Sequence, residues 1–84
     1  MKLTAELSLY PLAEDYIPVI RTFIEKAREH GDMDLVTNAM NTQICGDYDR
    51  VFALVRQELK SSYKTFGKQV LVCKFIPGEL AITQ

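Results

Sequence analysis

The sequence has no tryptophan, a single histidine and only two cysteines. Cys45 and Cys73 lie 28 positions apart, no CxxC spacing exists, and with one His a structural zinc site is not expected. Both cysteines read as small, buried, reduced side chains. No cofactor is implied. Neither sign of charge dominates: ten Lys and Arg stand against eleven Asp and Glu, a formal net of −1 spread along the chain. That leaves no basic footprint for nucleic acid. No apolar run approaches the roughly 20 residues that a bilayer-spanning helix needs, so a membrane is not an expected partner. The opening "MKLTAELSLYPL" carries one Lys and then alternates apolar with polar residues, unlike the continuous apolar core of a signal peptide. A cytoplasmic protein is expected. Repeats, linkers and low-complexity tracts are also missing, so the 84 residues read as one domain, 1–84.

What is present is an ordinary globular composition, 48% hydrophobic and 25% charged. A domain this small buries only about 60% of the surface its unfolded chain exposes. Its core is thin, and self-association would help it.

Residues 3–9, "LTAELSL", alternate strictly, with Leu3, Ala5, Leu7 and Leu9 on one face and Thr4, Glu6, Ser8 and Tyr10 on the other. This is a strand covered by apolar packing on one side, ended by Pro11. Asp15 is placed to cap a helix, with Pro18 harmless in its first turn. Ile17, Ile20, Ile24 and Ala27, with Phe23 beside them, form the expected buried stripe. Gly31 is a natural stop. "DLVTNAM" and "NTQICG" read as two short strands, with a turn somewhere in Asn38–Asn41. Asp47 is placed to cap a second helix with a stripe of Val51, Val55 and Leu59, widened by Phe52, Leu54, Tyr63 and Phe66. Gly67 ends it. "QVLVCKFI" is the last strand, stopped by Pro77-Gly78, and the tail beyond Glu79 reads as loose.

Strand, helix, strand, strand, helix, strand is the order of an α+β, ferredoxin-like βαββαβ plait. Its antiparallel sheet has the order 4-1-3-2, with both helices on one face. The other face is then uncovered. It should carry Thr4, Glu6, Ser8 and Tyr10 from the first strand, Gln43 and Cys45 from the third, and Val70, Val72 and Lys74 from the fourth. Aliphatic residues at an edge suit a second subunit. The polar centre needs partners, because buried amides and carboxylates are costly when unpaired. One account pairs Glu6 with Lys74 and Gln43 with Ser8 across strands. The other has the centre and rim receive a small polar ligand.

"AELSLYPL" followed by a helix, and then "MNTQICGDYDRVF", resembles the YkoF-like thiamine/hydroxymethylpyrimidine-binding family and its single-domain thiamine-binding relatives. The shared forms are A-E-x-x-x-x-P-L and M-x-T-Q-(aliphatic)-x-(small)-(acidic). The second runs here through Met40, Asn41, Thr42, Gln43, Ile44, Cys45, Gly46 and Asp47. In many relatives a Gly follows the Met; here it is Asn41. The resemblance implies a plait that self-associates through its sheets and binds thiamine or its pyrimidine precursor without catalysis. YkoF resembles two such units fused in one chain, so here a homodimer or higher homo-oligomer would supply the second.

The residue chemistry is compatible with that ligand. An aminopyrimidine presents an amine donor and ring-nitrogen acceptors, and amides match such an edge. Asn38, Asn41 and Gln43 are candidates, with Thr42 between them and Ser8 on the neighbouring strand. Glu6 would accept from the amine or offset a thiazolium. Tyr10 or Met40 would cover the ring. Each has a plainer role: Tyr10 as a sheet-edge cap, Met40 as core, Asn38 and Asn41 as turn residues. Two rival functions remain. An acylphosphatase needs an Arg in a phosphate-cradling loop after the first strand, but "PLAEDY" is acidic and has no Gly. His30, at a helix end, is expected to meet the last carbonyls rather than act as a base, and no enzyme activity is expected. The alternative is a sheet-mediated interaction or regulatory module without a small-molecule ligand, whose thermal stability would ignore thiamine.

Overall fold

The computed structural model describes residues 1–83. Its elements are β1 (Lys2–Pro11), α1 (Ile17–Glu29), β2 (Asp34–Thr37), β3 (Thr42–Asp47), α2 (Tyr48–Phe66) and β4 (Gln69–Pro77). The sheet order is β2-β3-β1-β4, with every pair antiparallel. This is the expected plait.

Register fixes the faces. Leu3, Ala5 and Leu7 stand opposite Gly46, Ile44 and Thr42 on β3, and Leu7 and Leu9 stand opposite Cys73 and Leu71 on β4. These residues meet Phe23, Ala27, Val51 and Leu54 from the helices in one core. Thr4, Glu6, Ser8 and Tyr10 share the other face with Cys45, Gln43, Lys74, Val72, Val70 and Ile76. Cys45 therefore lies on the uncovered face and Cys73 on the helix face, and both are free thiols. Burial pushes the Cys73 thiol above its ordinary range.

Both helices are rotated relative to the apolar stripes. In α1 the buried spine is Val19, Phe23 and Ala27, whereas Ile17 is exposed and Ile20 and Ile24 are half-buried. In α2 the spine is Val51, Leu54, Glu58 and Ser62. Two polar residues hold core positions because each has a partner across the packing. Glu58 Oε2 lies 2.8 Å from His30 Nε2, and Ser62 donates to Gln69 Oε1 at 2.8 Å. His30 thus ties α1 to α2 rather than meeting the terminal carbonyls. A lone buried carboxylate would be costly; paired, it adds directional specificity to a thin core.

The caps also differ from expectation. Tyr16, not Asp15, is the N-cap of α1, with no side-chain cap bond. Asp47 does occupy the N-cap of α2, but its side chain makes no cap bond, and the Tyr48 N–H donates to the Met1 carbonyl instead. The β3–α2 junction is tight. A Cβ on Gly46 would fall against the root of the Met33 side chain, so only glycine fits there.

The tail is not loose. The Gly78 N–H donates to the Lys2 carbonyl at 2.9 Å, Thr4 Oγ1 donates to the Gly78 carbonyl at 3.0 Å, and the Leu80 N–H donates back to Thr4 Oγ1 at 3.1 Å. Gly78, at φ +109°, makes the reversal that an L side chain would strain. The tail closes one end of the otherwise open face.

Candidate functional site

The opposite end carries the cavity. β1 finishes there, α1 begins there, and the β2–β3 turn bends over both. Because all three ends meet without a covering element, they enclose about 360 Å3. Ligand sites commonly occupy about 300–1,000 Å3.

The turn is built by Asn38. Its backbone N–H donates to the Asn41 carbonyl at 3.0 Å, and its Oδ1 accepts from the N–H groups of Met40 and Asn41 at 2.8 and 3.1 Å. An Asn side chain replaces backbone partners in this way in many turns. The consequence is that Met40 is pushed out, 85% exposed, at the mouth. Core is thus not the role of Met40, and turn-building is the role of the Asn38 carbonyl oxygen.

Leu7, Leu9, Phe23 and Leu71 contribute to the apolar lining, while Tyr10, Tyr16 and Met40 are exposed around it. Ser8, Asn38 and Asn41 are among the lining residues, although the Ser8 side chain belongs to the uncovered face and the Asn41 amide is engaged by Glu6 and Gln43. The hydroxyls of Thr37 and Thr42 lie 2.9 Å apart. Thr42 is buried on the helix side of the sheet. No charged side chain is among the described lining residues. Neutral heterocycles suit such a wall, and Tyr10 and Tyr16, both among the lining residues and more than half exposed, have rings free to meet a ring or a cation.

Of the eight candidate residues, Ser8, Tyr10, Asn38, Met40, Asn41 and Thr42 line the cavity. Glu6 and Gln43 do not; they stand opposite each other on the open face. Asn41 joins the two sets. Its Nδ2 donates to Glu6 Oε2 at 2.6 Å, and its Oδ1 accepts from Gln43 Nε2 at 3.5 Å. Lys74 approaches the other Glu6 oxygen at 3.5 Å. The Glu6–Lys74 pair is therefore as expected, whereas Gln43 bonds Asn41 rather than Ser8. Glu6 already has a cation and an amide donor, and a ligand cation would compete with the Lys74 ammonium, which is well exposed.

Tyr16, Ile20, Ile24 and Thr37 were not singled out from sequence as site residues. The isoleucines follow helical spacing and look like core; they are half-buried because they face the cavity as well as the sheet. Tyr16 precedes the helix and shows no pattern of its own.

A family model described as the YKOF-related family matches residues 2–75. No curated protein gives a significant match. Among solved structures, a Streptococcus pneumoniae protein is 21% identical, covering 99% of this chain and 94% of its own, with a TM-score of 0.84. A Thermotoga maritima protein, provisionally named a thiamine biosynthesis/salvage protein, is 23% identical over 98% of this chain and 91% of its own, with a TM-score of 0.85. A hypothetical protein from Methanocaldococcus jannascii is 25% identical over 93% of this chain and 81% of its own, with a TM-score of 0.72. The similar solved structures support the plait, and the match over residues 2–75 settles the kinship: this chain belongs to the YKOF-related family.

Proposed function

We propose that the protein binds thiamine or its hydroxymethylpyrimidine moiety, without transforming it, in the cavity at the end of the sheet. The observation that carries this reading is the cavity itself: an apolar slot with amides and hydroxyls along it and aromatic rings at its mouth. An aminopyrimidine edge needs both donors and acceptors, which hydroxyls and amides supply. The ring's faces need apolar or aromatic cover, which Tyr10, Tyr16 and Met40 supply at the mouth. These groups recognise and hold, and none is paired as nucleophile with base, so the reading is of binding rather than catalysis. Kinship to the YKOF-related family, and the name of the Thermotoga maritima protein, support the ligand class.

The working form is a cytoplasmic homo-oligomer paired through its open sheet faces. Val70 and Val72 are each close to half exposed on that face, and a second copy would cover them. Among the described residues no helix is long and apolar enough to cross a membrane.

Calorimetric titration tests the ligand reading. Thiamine and hydroxymethylpyrimidine should each bind saturably. Tyr10→Ala should weaken both, by roughly 5- to 30-fold if stacking contributes about 1–2 kcal/mol. Thr42→Val should weaken them by a similar factor through a lost hydroxyl. Glu6→Gln, away from the lining, should change thiamine binding more than hydroxymethylpyrimidine binding. No heat and no thermal shift with either ligand would leave the interaction-module reading in its place.

A further inference from the structure

Thr4 and Cys45 face the side of the sheet that has no helix, yet they are 4% and 3% exposed. The tail returns to this end and bonds Thr4, which in turn lies against Cys45. Residues 78–80 reverse over this end of the face and are held by three hydrogen bonds, two of them through the single hydroxyl of Thr4. That hydroxyl donates to the Gly78 carbonyl and accepts from the Leu80 N–H, and it lies 3.4 Å from Cys45 Sγ. The family match ends at residue 75, so this segment lies beyond the matched part of the chain.

Two facts make the segment a candidate for release. Leu80 remains 46% exposed and Ile82 is only partly buried, so limited apolar burial holds the segment down. Segments with few buried contacts and few hydrogen bonds open at low cost. The face beneath is also one that a second sheet would need. Stacked sheets sit about 10 Å apart with interdigitated side chains. A chain segment lying across one end holds a partner sheet away from that end.

We propose that residues 78–83 form a strap, locked by Thr4, that shields Cys45 and keeps a second copy off the Thr4–Cys45 end of the sheet. With the strap closed, only the remainder of the face, with Ser8, Val70 and Val72, is available for pairing. With the strap open, the whole face is available, Ile76 included. The association half of this proposal rests on the sheet-paired oligomer described above; the shielding half does not.

The test uses the full chain with Thr4→Val, which keeps the side-chain shape and removes both strap bonds, and Thr4→Ser, which keeps the hydroxyl. N-ethylmaleimide labelling is followed site by site by mass spectrometry. Cys73, on the opposite face, is the internal reference. Cys45 should label about tenfold faster in Thr4→Val, as expected if about 1.4 kcal/mol of closure is lost, and close to the native rate in Thr4→Ser. Gly78→Ala, which strains the reversal while keeping the Thr4 hydroxyl, should accelerate Cys45 in the same way. Unchanged Cys45 labelling in both variants, or equal acceleration of Cys45 and Cys73, overturns the strap. Sedimentation of the same variants tests the competition. Tighter association in Thr4→Val supports it; weaker or unchanged association overturns it even where Cys45 is uncovered. If every variant is a monomer, the paired-sheet reading fails with that half, and the labelling result still decides the shield.

Discussion

The two ends of the sheet differ in how they deal with the side that no helix covers. Where β1 begins, Thr4 and Cys45 are as buried as core residues, and the Thr4 hydroxyl is bonded to the tail on both its donor and its acceptor side. Where β1 finishes, Tyr10, Tyr16 and Met40 are all more than half exposed around a cavity. The same sheet thus has a closed end, where β1 begins, and an open one, where β1 finishes. The closed end is finished by local hydrogen bonds from the tail. The open end spends its hydrogen bonds on shaping a turn, and that turn projects Met40 outward instead of covering the core. Exposure of large apolar and aromatic groups is costly to solubility unless something covers them. The comparison therefore gives the first end a stabilising role, and the proposed function places recognition at the second.

Substitutions sharpen the contrast. Gly46→Ala, at the closed end, should have the largest effect on stability. Its Cβ meets the root of Met33 rather than a flexible tip, and overpacking of this kind costs about 1–3 kcal/mol. Denaturant unfolding reads it directly, as a lower midpoint at an unchanged slope. Asn38→Ala, at the open end, should cost about 0.5–1.5 kcal/mol through the lost turn bonds. It should also weaken ligand binding, because the mouth loses its shape. Met40→Ala should leave stability within about 0.5 kcal/mol and still reduce affinity. Equal stability losses for Gly46→Ala and Met40→Ala would break the division between the ends.

The smallest expected effect is a pH response at the closed end. The hydrogen bond from Arg50 Nε to Asp32 Oδ2, 2.7 Å long, holds the Asp32 carboxyl below its ordinary value of 3.8. A lowered folded-state value means that the stabilisation is fully present above that ordinary value and is lost as pH falls through the lower folded value. Both groups are well exposed, so the contribution is screened and small. Asp32→Asn should narrow the stability difference from the native chain as pH drops below about 4, and thermal melts across that range would show it.

Much of the fold was legible because strands declare themselves by alternation. Leu3, Ala5 and Leu7 against Thr4, Glu6 and Ser8 sets the faces of β1, and register carries the choice to β3 and β4. The helix faces were less legible, since apolar spacing alone cannot reveal that Glu58 and Ser62 occupy core positions. Their partners, His30 and Gln69, are distant in sequence and become neighbours only on packing. The strap was hidden for a similar reason. Thr4 reads as one more outward polar residue, and nothing in "PGELAIT" shows that its backbone will return to that hydroxyl. At the candidate site, the motif that includes Asn41 runs out of the turn that borders the cavity, while Gln43 lies outside the lining. The cavity itself depends on three chain ends converging, and Tyr16 enters it only through the fold.

Backbone amide NMR, with thiamine and hydroxymethylpyrimidine titrated into the native protein, tests the assignment of recognition to the open end most directly. The account predicts saturable shifts concentrated at Tyr10, Tyr16 and Asn38 through Thr42, with Thr4, Cys45 and Gly78 unmoved. Shifts centred on the Thr4–Cys45 end, or a spectrum that neither ligand alters at saturating concentration, would contradict it.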